Sequence, residues 1–120
     1  MQERISRLVC AFQGSYFVAT GVWPLVHLRS FLALTGPKTD LWLVQSFGLL
    51  VASVGVALLR AWVKRTPEAS LPVGACTAAA MVMADGIAAR AVSPIYLIDM
   101  APELLFLVGW LLVLRRQPGA

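Results

Sequence analysis

Three acidic residues stand where acids are costly. Asp85, Asp99 and Glu103 each fall inside a block of apolar residues. Asp99 and Glu103 lie four positions apart, so on a helix their carboxyls share one face, with Tyr96 about one turn earlier. Neighbouring carboxylates in a low-dielectric setting tend to share a proton unless a positive group is close. Arg90, Arg29 and His27, the only histidine, are the candidates for that group, and Gln45 is a neutral hydrogen-bonding neighbour. Three kinds of chemistry suit the set. It could be the acidic wall of a pocket for a small cationic or amphiphilic ligand, or an acid–base pair of a carboxylate with His27, whose imidazole titrates near neutral pH. It could also be a buried ion-pair network that only fixes helix register. The candidate ligand-binding residues are therefore Asp85, Asp99, Glu103, Tyr96, His27, Gln45 and Arg90. No nucleophile motif marks a catalytic residue.

The elements that must position these groups follow from hydropathy. Hydrophobic residues make up 59% of the 120-residue chain and charged ones 13%, against about 25% charged in ordinary soluble domains. Crossing a hydrocarbon core of about 30 Å takes about 20 helical residues. Four blocks meet that length, over about 8–27, 41–63, 71–92 and 95–114. The expected fold is all-α: one domain over 1–120, a transmembrane four-helix up-and-down bundle with short connections between sequential neighbours. Asp40, Thr66 or Ser70, and Ser93 are expected to cap helices, Pro72 and Pro94 fit first turns, and Gly36 and Pro37 supply a stop. Residues 28–34 are too short to cross again and read as an extension of the first helix or an interfacial segment. A charge at bilayer depth costs on the order of 3 kcal/mol, so the three acids, placed at one depth by the helical rise, need a reason to be there.

Helical spacing gives each span a polar or small stripe that should face the other spans. These are Gln13, Phe17, Thr20, Pro24 and His27; Gln45, Gly48, Ala52 and Gly55; Ala78, Met81, Asp85 and Ala88; and Tyr96, Asp99, Glu103, Phe106 and Trp110. The small residues read as packing surfaces, and Pro24 and Pro102 as bends. Trp23, Trp42 and Tyr96 suit one interfacial belt and Trp62 the other, while Trp110 suits either a belt or the bundle interior.

Charge sets the orientation. Arg4, Arg7, Arg60, Lys64, Arg65, Arg115 and Arg116 flank one side, and Arg29, Lys38 and Arg90 the other. The excess marks the cytoplasmic side, so both termini are expected in the cytoplasm. The early apolar run, interrupted at Gln13, Gly14 and Ser15, reads as a retained helix and not a cleaved signal. The net charge of +4 is dispersed between apolar blocks, which argues against a nucleic-acid partner. Cys10 and Cys76 near the cytoplasmic ends are not expected to form a disulfide. Two cysteines and one histidine do not support a closed zinc site or bis-histidine haem, so no metal or other cofactor is expected. Lipids and a copy of the same chain are the candidate partners.

The run Trp23-Pro24-Leu25-Val26-His27, with Thr35-Gly36-Pro37-Lys38-Thr39-Asp40 after it, resembles one found in small uncharacterised bacterial four-span membrane proteins. The overall layout, with Tyr96-Leu97-Ile98-Asp99 and Glu103 in the last span, also resembles the DoxX-like group. The resemblance implies a multi-pass protein of the bacterial inner membrane and supplies no reaction. The small multidrug transporters share the length and four short helices, but their first helix carries a membrane-embedded glutamate, whereas the first span here has Gln13 and no carboxylate. The residues themselves lead to an acidic intramembrane pocket that binds or transports a small molecule or lipid. An intramembrane enzyme and a structural subunit packing through Gly48 and Gly55 are the alternatives.

Overall fold

The computed structural model describes residues 2–36, 38, 40–65 and 67–115. Pro37, Thr39, Thr66 and Arg116, drawn on above for a helix stop, a resemblance, a cap and topology, lie outside the described residues. The elements are α1 (Gln2–Val26), α2 (Leu28–Thr35), α3 (Leu41–Val63), a 3-10 turn (Pro67–Ser70), α4 (Leu71–Ala91) and α5 (Tyr96–Arg115). Helices α1, α3, α4 and α5 are each long and apolar enough to cross a membrane. The chain is an all-α, multi-pass integral membrane protein. The first helix begins six residues earlier than its apolar block, at Gln2 instead of Leu8, because helix continues through the charged flank.

The segment after His27 is a helix of its own. His27 breaks α1 from α2 and caps the second: its Nδ1 accepts from the Ser30 N–H at 3.2 Å, and its carbonyl accepts from Ser30 Oγ at 3.0 Å. Asp40 and Ser70 sit at the expected N-caps but make no side-chain cap bond. At Asp40 the backbone carbonyl takes that role, accepting from Leu43 N at 3.1 Å and Val44 N at 3.2 Å. Ser93 does accept through its hydroxyl, from Ile95 N at 3.3 Å.

Packing is uneven. Helix α1 lies most extensively against α3 and α4 against α5, and the two hairpins join mainly through α1 and α5. The consecutive helices α3 and α4 hardly touch among the described residues, which departs from the expected set of sequential neighbours. The cause lies in where the small residues point. Gly48, Ala52 and Gly55 are buried and meet α1: a methyl group on Gly21 would lie 2.4 Å from the Gly48 carbonyl oxygen, and one on Gly55 2.7 Å from that of Gly14. Lipid offers apolar side chains no advantage in leaving it, so close backbone approach selects the partner helix. The side of α3 toward α4 carries Phe47, Leu50 and Val54, and a groove of about 280 Å³ separates the two helices there.

A buried polar side chain of α1 reaches both helices of the second hairpin. Gln13 is fully buried. Its Oε1 accepts from Trp110 Nε1 at 2.6 Å, and its Nε2 donates to the Gly74 carbonyl at 3.1 Å and Thr77 Oγ1 at 3.4 Å. Trp110 therefore belongs to the bundle interior, seated over Gly74, where an added methyl would fall 2.3 Å from the indole nitrogen. Replacing Gln13 with Leu strands the indole N–H in an apolar core. A loss of about 1–2 kcal/mol is expected, read as a lower thermal midpoint in lipid bicelles, with the far-ultraviolet circular dichroism spectrum unchanged.

Candidate functional site

The three acids meet. One carboxylate oxygen from each of Asp85, Asp99 and Glu103 lies within 4.8 Å of the other two. Two helices bring this about. Asp85 comes from α4 two turns before its end, and Asp99 and Glu103 come from successive turns of α5, the helix on which α4 packs most closely. Pro102 sits between the α5 acids, where it removes the N–H that would bond the Ile98 carbonyl.

The surroundings are dry. Asp85 is 3% exposed and Glu103 0%, and Asp99 is half-buried. Asp99 Oδ1 accepts a hydrogen bond from the Tyr16 hydroxyl of α1. Asp85 Oδ2 and both oxygens of Glu103 are buried with no hydrogen-bond partner among the described residues. Buried polar atoms in native proteins are nearly always paired, so three orphaned oxygens in one place call for an explanation. Phe106, one turn beyond Glu103, packs edge-on against Tyr16 at 5.8 Å and Phe17 at 6.5 Å, closing the side toward Trp110 with aromatic carbon.

The expected positive partners are elsewhere. Arg29, Arg90 and His27 are exposed, and no donor among the described residues reaches the orphaned oxygens. His27 is not among the groups whose ligand atoms converge with the acids; it caps α2 instead. Gln45 is half-buried on α3, which packs mainly on α1. Tyr96 lies half-buried at the start of α5 and stacks under Lys38, whose Nζ is 5.3 Å from its ring. The same Nζ lies 5.2 Å from the Phe31 ring and donates to Thr35 Oγ1 at 2.8 Å, so Lys38 ties α2 to the head of α5.

No protein-family model matches the chain, and no curated protein or solved structure matches it. Function therefore rests on the site. Tyr16 is the residue that sequence reasoning misses. The stripe through Gln13 continues to Phe17, one turn on, although Tyr16 at three residues' spacing lies on the same side of a helix. A phenolic hydroxyl in mid-span is the available signal, because it too needs a partner away from water.

The groove between α3 and α4 is a separate feature. Phe17, Phe47, Val51, Thr77, Met81 and Ala84 are among its lining residues. It is apolar where the acidic cluster is polar, and Ala84 precedes Asp85 directly in α4.

Proposed function

We propose that this protein binds a cationic solute within the bilayer, as a transporter-type or solute-binding component. It would sit in a bacterial inner membrane with both termini cytoplasmic. The observation that carries the reading is the convergence of Asp85, Asp99 and Glu103, three of whose oxygens are left without a donor from any described residue. A network built only to fix helix register would have its polar atoms paired, since a buried polar atom left without a hydrogen bond costs about 1–3 kcal/mol. Intramembrane acids without a positive partner among the described residues instead fit a site whose counter-charge arrives from outside the chain. The apolar groove beside Ala84 suits the hydrocarbon part of an amphiphilic cation or a lipid chain.

The other readings draw less support. Acid–base catalysis by a carboxylate with His27 needs both within about 3 Å of one substrate position, whereas His27 is exposed and engaged with Ser30. A subunit that assembles through Gly48 and Gly55 needs those faces open, and α1 of the same chain occupies them.

The test is equilibrium binding of a tetraphenylphosphonium probe to purified protein in nanodiscs. Asp99→Asn and Glu103→Gln are each expected to reduce affinity by at least about tenfold, the equivalent of about 1.4 kcal/mol, with helix content retained. Wild-type affinity in both folded variants would show that the acids do not bind the cation.

A further inference from the structure

Which cation fits is set by the size and chemistry of the enclosure. Glu103, which contributes two of the orphaned oxygens, is wholly buried. What the acids offer is a set of oxygens at the spacing of a single ion's ligands. Three oxygens no more than 4.8 Å apart leave a central point within about 2.8 Å of each, close to the 2.3–2.6 Å of calcium–oxygen bonds. Small side-chain rotations close the difference.

The donors narrow the class further. All are carboxylate oxygens, without cysteine or histidine in the group, and hard oxygen ligands suit magnesium, calcium and manganese over the softer transition metals. Carboxyls give up their protons to the metal they ligate, and a divalent ion offsets more of the resulting negative charge than a monovalent one. Glu103, fully buried and with no hydrogen-bond partner among the described residues, turns a carboxyl oxygen toward those of the other two acids. That separates the cluster from acidic groupings on exposed surfaces, where water satisfies every oxygen. Asp99 is already held by the Tyr16 hydroxyl, as outer hydrogen bonds commonly orient metal-ligating carboxylates.

We propose that Asp85, Asp99 and Glu103 form a binding site for one hard divalent cation of the magnesium, manganese and calcium class, with Tyr16 a positioning residue for Asp99. This rests on the cation-binding reading above and names its solute. The Cys and His content that argues against zinc and haem says nothing about such an all-oxygen site.

The experiment is a Mn²⁺ titration of chelator-treated protein in nanodiscs, followed by the electron paramagnetic resonance signal of free Mn²⁺. One Mn²⁺ per chain is expected, displaced by excess Ca²⁺ or Mg²⁺. Glu103→Gln and Asp99→Asn should weaken uptake at least tenfold, and Tyr16→Phe several-fold with unchanged stoichiometry. Mn²⁺ should also broaden the Tyr16 ring resonances of the wild-type chain, a readout that needs no variant to fold. Absence of uptake at millimolar Mn²⁺, or uptake that neither perturbs Tyr16 nor depends on Glu103, overturns the metal assignment. If tetraphenylphosphonium binding still depends on Glu103, the proposed function stands without the metal; if neither ion binds, both fall.

Discussion

Gly21→Leu is expected to leave no stably folded protein. A β-carbon at Gly21 would lie 2.4 Å from the Gly48 carbonyl oxygen and 2.6 Å from the Ala52 nitrogen. Both are backbone atoms of α3, so no rotamer change relieves the overlap and the helices must part. The packing of α1 on α3 is the most extensive in the fold, and α3 has little else to hold it. Destabilisation above about 4 kcal/mol is confined to a few mechanisms, of which overpacking against an immovable neighbour is one. The measurement is the yield of monodisperse protein after detergent extraction, with the unfolding midpoint in sodium dodecyl sulfate. Gly86→Ala is the control, since its added methyl would meet only the Met100 Cε, at an ordinary 3.5 Å. A Gly21→Leu protein as stable as that control would mean that α1 and α3 do not meet through this face.

The glycines show how far the sequence can be read. Four spans are legible because apolar blocks of bilayer length leave few alternatives, and α3 and α4 start where the capping residues put them. The inward stripes are also legible: Gln13, Phe17, Pro24, Gly48, Ala52, Gly55, Ala78, Asp85, Glu103, Phe106 and Trp110 are all buried. What periodicity does not carry is the choice of partner. It turns the stripes of all four spans toward a common centre, whereas α3 spends its small residues on α1 alone. Counting turns places the acids at one depth, and they do converge. A shared depth on one side of the bilayer is what suggests Arg90 and His27 as their companions, and both are exposed. Tyr16, 83 residues from Asp99 in sequence, becomes its neighbour only once α1 is set against α5.

The acids also give a prediction whose sign separates structure from function. Glu103→Met is expected to stabilise the cation-free protein. The substitution keeps a similar volume and removes two buried oxygens that have no partner among the described residues. Exchanging buried ionic groups for well-packed apolar ones is often stabilising by about 1–4 kcal/mol, and a carboxylate in mid-bilayer adds its own insertion cost. If Glu103 were instead a paired strut of the bundle, the same change would break that pairing and lower stability by about 3–5 kcal/mol. Thermal unfolding of chelator-treated wild type and variant in bicelles therefore distinguishes the two by direction alone. Adding Mn²⁺ should then reverse the order. At a free concentration about one hundred times the dissociation constant, a ligand that binds only the folded state stabilises by about 2.7 kcal/mol, and Glu103→Met would gain little of it. A residue whose removal strengthens the empty protein and weakens the loaded one is kept for what it binds. A lowered midpoint without the ion would instead place Glu103 among the groups that hold the helices together.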